Sequence, residues 1–224
     1  MKRIIFITGI LMLMAGMMAC GGKKQSEATE GNEWLDTDAE QNRDSTIYGV
    51  CTDGSTMHTI QLQIDNGDTI TLNALPAQEN DRVFGGYTVG DRMAVVTNLD
   101  QTQAMTIINV SVLLGDWVLP NPLDGTSVMG LSIRDGGIAE SINQSSQIYK
   151  TWRLVNGTLE LVSIREGGGD FEETEHYRFR LLSEDSLIID SGEQVFEYSR
   201  PDKEDDLNSL DLDLNETDLD DMVI

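Results

Sequence analysis

Residues 136–169 read GGIAESINQSSQIYKTWRLVNGTLELVSIREGGG. Asp135-Gly136-Gly137 is a tight turn, because two glycines supply positive φ without a Cβ penalty. Ile138, Ala139 and Ile142 follow in a short strand, and a polar crossing leads to a second strand over residues 149–154. Asn156-Gly157 is the dipeptide of a type I′ hairpin, in which both central residues are left-handed. Beyond it, Leu159, Leu161 and Ser163 fall on one face and Glu160 and Val162 on the other, the period of two of a half-buried strand. The stretch is therefore a run of antiparallel hairpins.

Working outward, the strand pattern continues on both sides. In residues 173–182, Tyr177, Phe179 and Leu181 share one parity and His176, Arg178 and Arg180 the other. Residues 187–190 and 193–199 form a last hairpin around Ser191-Gly192. Residues 115–200 thus predict about eight short strands in an up-and-down meander, enough for a small barrel. The aromatics Trp117, Trp152, Tyr177, Phe179, Phe196 and Tyr198 are its candidate core or ligand-cavity residues. In a regular strand Tyr149 and Trp152 point to opposite faces. Trp152 shares its parity with Leu154 and is expected to face inward, leaving Tyr149 outward unless a bulge intervenes.

The order of these motifs resembles a known family. Gly115-Asp116-Trp117 opens the segment, and a strand and turn run from Gly130 to Gly136. Ser141-Ile142-Asn143, the pair Tyr149 and Trp152, and Asp185-Ser186-Leu187 follow in turn. This is similar to the lipocalin-like domain of Bacteroides-type lipoproteins, over about residues 115–200. The chain departs from that pattern at Ser163-Ile164-Arg165-Glu166-Gly167, where the family often has Ser-Ile-Gly-Asn-Gly. The resemblance implies a lipocalin-like antiparallel barrel and a binding role for a small apolar or amphipathic molecule.

Residues 46–114 predict a smaller β module. Residues 57–64 alternate, Asn66-Gly67 turns the chain, and residues 69–72 answer; further strands lie at 92–97 and 104–114. Five or six short strands in this length predict a small closed, OB-like barrel, since closure removes exposed edges. Its basic residues are Arg82 and Arg92 alone, which disfavours an oligonucleotide.

The ends point to the cell envelope. Met1-Lys2-Arg3 is a basic n-region, residues 4–15 are apolar, and Met17-Met18-Ala19-Cys20 resembles a bacterial lipobox. Residues 1–19 are then a lipoprotein signal peptide, and Cys20 is the lipid-attachment residue. Acyl chains at Cys20 would anchor the protein to a membrane without spanning it. The segment after the cysteine is Gly21-Gly22-Lys23-Lys24, not the acidic run common in surface-exported relatives. That favours the periplasmic side of an outer membrane. Residues 20–45 have the composition of a flexible tether. With Cys20 acylated, Cys51 has no disulfide partner and reads as a buried, inert thiol.

The formal charge of −24 disfavours nucleic acid and anionic lipid surfaces as partners. Residues 201–224 concentrate ten Asp and Glu against one Lys, interleaved with leucines. Such a tail reads as disordered, with room to fold on a protein partner. Asp211, Asp213 and Asn215 begin like a calcium loop, but Glu216 replaces the required glycine and Met222 the closing glutamate. Only His58 and His176 are present, too few for a zinc site. Gly167-Gly168-Gly169 is followed by acids, not by a phosphate-binding Lys-Ser/Thr. No nucleophile elbow and no metalloprotease motif occurs. These residues predict neither metal nor cofactor and no catalysis. Two roles remain: a non-catalytic binding module, or a structural and interaction lipoprotein with packed barrels.

Overall fold

The computed structural model describes residues 44–165, 167 and 171–201. The leader, Cys20 and almost all of the tether and acidic tail lie outside the described residues. The described chain is nearly all β, in two modules built on separate sheets.

The first module contains β1 (Thr46–Cys51), β2 (Thr59–Ile64), β3 (Thr69–Asn73), helix α1 (Leu75–Glu79), β4 (Val83–Phe84), β5 (Arg92–Thr97), β6 (Ala104–Asn109) and helix α2 (Val110–Leu113). The sheet order is β3-β2-β1-β5-β6-β4. Hairpin-linked β1, β2 and β3 with β5 returning beside β1 make a Greek key. β4 adds to β6 in parallel. The module is not the fully closed barrel expected: β3 meets the start of β6 through a single parallel bridge, Asn73 to Gln103. It is a curled, partly open OB-like sheet. Ile60, Leu62, Leu72, Met93, Val95 and Ile107 fill its core, with Cys51 buried among them as expected.

β5 does not alternate. Met93, Ala94 and Val95 are all buried, because both of its faces are covered. Met93 and Val95 face the module's own core, while Ala94 and, on β6, Ile108 face the second module.

The second module is a closed antiparallel barrel. Its strands are β7 (Gly115–Pro120), β8 (Val128–Arg134), β9 (Ile138–Ile142), β10 (Gln147–Val155), β11 (Thr158–Arg165), β12 (Glu172–Leu182), β13 (Ser186–Asp190) and β14 (Val195–Ser199). Each pairs with the next, and β14 closes on β7 through Ser199 and Val118. The β10–β11 turn is the expected one, with Asn156 at φ 50° and Gly157 at φ 78°. Gly157 is needed twice over, since a Cβ there would also sit 3.2 Å from Thr106 of the first module. Gly130 serves close approach of another kind: a Cβ would lie 1.9 Å from the Trp117 carbonyl oxygen.

Two bulges change the expected facing. One lies between Tyr149 and Thr151, so Lys150 is the extra residue and both Tyr149 and Trp152 point inward. The inward Trp152 is as expected; the outward Tyr149 is not. The second lies between Phe179 and Leu181. It turns Leu181 out to 43 % exposure and puts Leu182 inside, reversing the expected parity of Leu181.

Alternating strand direction puts the turns after β8, β10 and β12 at one end of the barrel, together with Gly115 and Arg200. The first module covers that end. Phe84, Val110 and Leu113 join the barrel interior in one continuous core, with the Phe84 and Phe179 rings 5.4 Å apart. Hydrogen bonds pin the contact: Gly85 N–H to the Leu182 carbonyl at 2.9 Å, and the Tyr48 side-chain hydroxyl to the Leu154 carbonyl at 3.1 Å. The opposite end is the mouth, bordered by the connections after β7, β9, β11 and β13.

Candidate functional site

The barrel interior divides into a dry lower half and a polar upper half. Below, Leu131, Ile133, Leu159, Leu187 and Ile189 have no exposed surface. Trp117 belongs to this half. Its indole Nε1 donates to the Leu113 carbonyl at 2.8 Å, and the Arg200 guanidinium lies 3.6 Å above its ring. Arg200 in turn donates to the carbonyls of Val112 at 2.6 Å and Leu114 at 3.0 Å. Burial pulls the Arg200 pKa below its ordinary value. The pair is a latch joining the last strand, the first strand of the barrel and α2. Trp152, whose Nε1 donates to the Arg134 carbonyl at 2.7 Å, and Phe179, tilted against Phe84, also sit in the lower half. Of the six candidate residues, these three share one buried core with Tyr177 and Tyr198, and Phe196 packs against it.

The other three gather with Tyr149 around a polar cluster inside the barrel, although Tyr177, Phe196 and Tyr198 pair with Leu159, Ile189 and Leu187 of the apolar set. Tyr177 meets Phe196 edge-on at 5.9 Å, and Phe196 stacks on Tyr198 at 6.2 Å. The register carries two acids into the same face, because Glu173 pairs with Ser163 and Glu175 with Leu161. Glu175 is the centre of the polar cluster. Its Oε2 accepts from the Tyr177 hydroxyl at 2.8 Å and from Gln147 Nε2 at 2.7 Å. Gln147 Nε2 also donates to the Ser163 hydroxyl at 3.1 Å. Arg165 pairs with Glu173 at 2.6 Å and reaches Glu175 at 3.8 Å. Ser141 ties the irregular β9–β10 seam, accepting from the Tyr149 N–H at 2.8 Å and donating to the Gln147 carbonyl at 2.7 Å.

The tyrosines are kept as neutral donors. Burial pushes the Tyr177 and Tyr198 hydroxyls well above their ordinary pKa, reinforced for each by Tyr149 and Glu175. Burial and then Glu175 raise Tyr149 as well. Deprotonating any of them would place a second negative charge beside a carboxylate in low dielectric. A ring of neutral hydroxyls around one carboxylate can orient a polar head group. Aromatic walls can take an apolar part. Two apolar side chains stand out on the connections at the mouth end, Leu123 at 93 % and Phe171 at 80 % exposure.

Glu175 and Gln147 are absent from the aromatic set that sequence alone singles out. Period two carries the signal for Glu175, which shares the parity of Tyr177 and Phe179. Its neighbourhood of acids makes it look solvated instead. Among the described residues no group of three or more His, Cys, Asp or Glu is arranged to hold a metal ion. Nor is any helix among them long and apolar enough to cross a membrane.

Comparison with known proteins covers the second module. Residues 109–201 match the lipocalin-like family model. Among solved structures, the chain is similar to a lipocalin-like protein from Bacteroides thetaiotaomicron, with 28 % identity and a TM-score of 0.37. That match covers 40 % of this chain and 96 % of the other. No curated protein matches. The matched segment begins at Asn109, the last residue of β6, and includes the whole closed barrel, so the likeness to lipocalin-like proteins belongs to the second module.

Proposed function

We propose that this protein is a lipid-anchored, non-catalytic binding module of the bacterial cell envelope. Its barrel mouth takes a small amphipathic molecule. The observation that carries the reading is the polarity of the barrel interior. One end is capped by the first module and packed dry, so a ligand enters from the other. There it meets Glu175, the hydroxyls of Tyr149, Tyr177 and Tyr198, and the face of Phe196. A polar head would hydrogen-bond to Glu175 and the hydroxyls, and a short apolar part would lie on the rings. The full burial of the lower half limits the ligand to the upper barrel. Attachment at Cys20 rests on the lipobox-like leader and places the protein at an outer membrane, on the periplasmic face. The lack of any nucleophile or metal motif in the sequence supports a role without catalysis.

The packed lower half also favours a second reading, a structural lipoprotein whose barrels hold no small molecule and whose surfaces recruit protein partners. Mass spectrometry of the natively purified protein separates the two. A co-purified amphiphile that is lost in the Tyr177→Phe, Glu175→Gln double variant supports binding at the mouth. A ligand-free protein that also takes up no amphiphile from an envelope lipid extract overturns it.

A further inference from the structure

A second concavity lies away from the mouth, between the first module and the outer wall of the barrel. It has a volume of about 950 Å³, and its lining includes Arg82, Met105, Thr158, Arg178, Phe179 and Arg180. Three of the chain's fifteen Lys and Arg residues meet here, in a protein of formal charge −24. Their charges are incompletely matched. Arg178 at 3.1 Å and Arg180 at 2.5 Å both donate to the same oxygen of Asp190. Arg82 gives its Nε to the neutral Thr106 hydroxyl at 2.8 Å and has no ion-pair partner among the described residues. Asp81, also in the lining, offsets part of this excess. Beneath it lie Phe84 and Phe179 of the shared core, and Met105, 38 % exposed, adds apolar surface.

We propose that this groove receives the acidic carboxy-terminal segment of the same chain, residues 202–224. Two chemistries match at once. The segment interleaves Leu207, Leu210, Leu212 and Leu214 with Asp205, Asp206, Asp211 and Asp213, and the groove sets guanidinium groups around apolar surface. Carboxylates suit guanidinium pairing and leucines suit that apolar surface. Connection suits it as well. Arg200, the last residue before Pro201, is fixed at the capped end by its latch and by its N–H bond to the Asp185 carbonyl at 3.2 Å. β14 and β12 are separated by β13 alone, so the groove wall lies roughly 10 Å away at ~4.8 Å per strand. The first six residues beyond Pro201 span up to ~20 Å when extended, so the leucine-bearing part reaches it. The segment would then act as a strap bridging the two modules, at the end of the barrel remote from the mouth.

A nitroxide at Ser209→Cys tests this in the mature chain, with Cys20→Ser so that buried Cys51 is the only other thiol. At low salt the amide signals of Thr106, Thr158 and Arg180 should lose roughly half their intensity or more, while Leu123 at the mouth stays unaffected. High salt should restore them, because exposed ion pairs are screened. An excess of synthetic peptide 202–224 should restore them too. The Arg82→Gln, Arg180→Gln double variant leaves Arg178 on Asp190, and it should weaken peptide binding about tenfold. If that variant fails to fold, the salt and peptide arms decide. Full groove signals at low salt, or equal losses across the surface, would overturn the proposal. Losses that grow with protein concentration would assign the contact to a second copy and also overturn it.

Discussion

Replacing Tyr149 by alanine tests the bulge at Lys150. Without the bulge, Tyr149 and Trp152 would point to opposite sides of β10, and truncating Tyr149 would cost little. With it, both rings enter the barrel, at 7 % and 8 % exposure. Removing a buried aromatic side chain forfeits its transfer energy and leaves a cavity, about 3–5 kcal/mol in a packed core. Tyr149 stands near the mouth, where water can enter the space it leaves, so about 2–4 kcal/mol is expected for it. Trp152→Ala, in the dry half, should cost about 3–5 kcal/mol, part of it from the unpaired Arg134 carbonyl. Both are large against a total stability of about 5–15 kcal/mol. Urea unfolding followed by far-ultraviolet circular dichroism measures each variant against the parent, provided the slopes agree. A loss below about 1 kcal/mol for Tyr149→Ala, with Trp152→Ala still costly, would refute the inward tyrosine and return β10 to a regular pleat.

Arg200→Gln should lose about 2–4 kcal/mol in the same assay, because it removes charge-assisted bonds to the carbonyls of Val112, Leu114, Asp116 and Glu184 and the cation over Trp117; a neutral result would mean the latch is ornamental. Stability should fall as pH rises above about 10. The folded-state pKa values of Tyr149, Tyr177 and Tyr198 are raised, so their contribution is complete below the ordinary value of 10.0 and is lost above it. A Tyr177→Phe, Tyr198→Phe variant should show a flatter alkaline limb, and an identical limb would remove these hydroxyls as its cause. Cys20→Ser should shift the protein from the membrane pellet to the soluble fraction, as acyl chains are the proposed anchor. Unchanged membrane retention would refute lipid attachment at Cys20.

Local chemistry in the chain is enough to place most strands. Asn156-Gly157 allows one kind of turn, and Leu159, Leu161 and Ser163 alternate because the pleat has a period of two. The eight-stranded count of the second module and the inward Trp117 and Trp152 follow from the same rule. What that rule cannot supply is the position of an extra residue. The bulges at Lys150 and Arg180 are set by how neighbouring strands register around a closed ring, and each reverses the facing of every residue beyond it. That is why Tyr149 and Leu182 are inside and Leu181 is outside. Parity alone would bring Glu175 to the face of Tyr177, but its partners Gln147 and Ser163 come from other strands and appear only on closure. The burial of both faces of β5 likewise depends on a second module 20 residues and more along the chain, which no window of sequence contains. Composition and spacing decide which segments become strands; long-range pairing decides which of their side chains share a pocket, because only tertiary closure brings distant residues to one face.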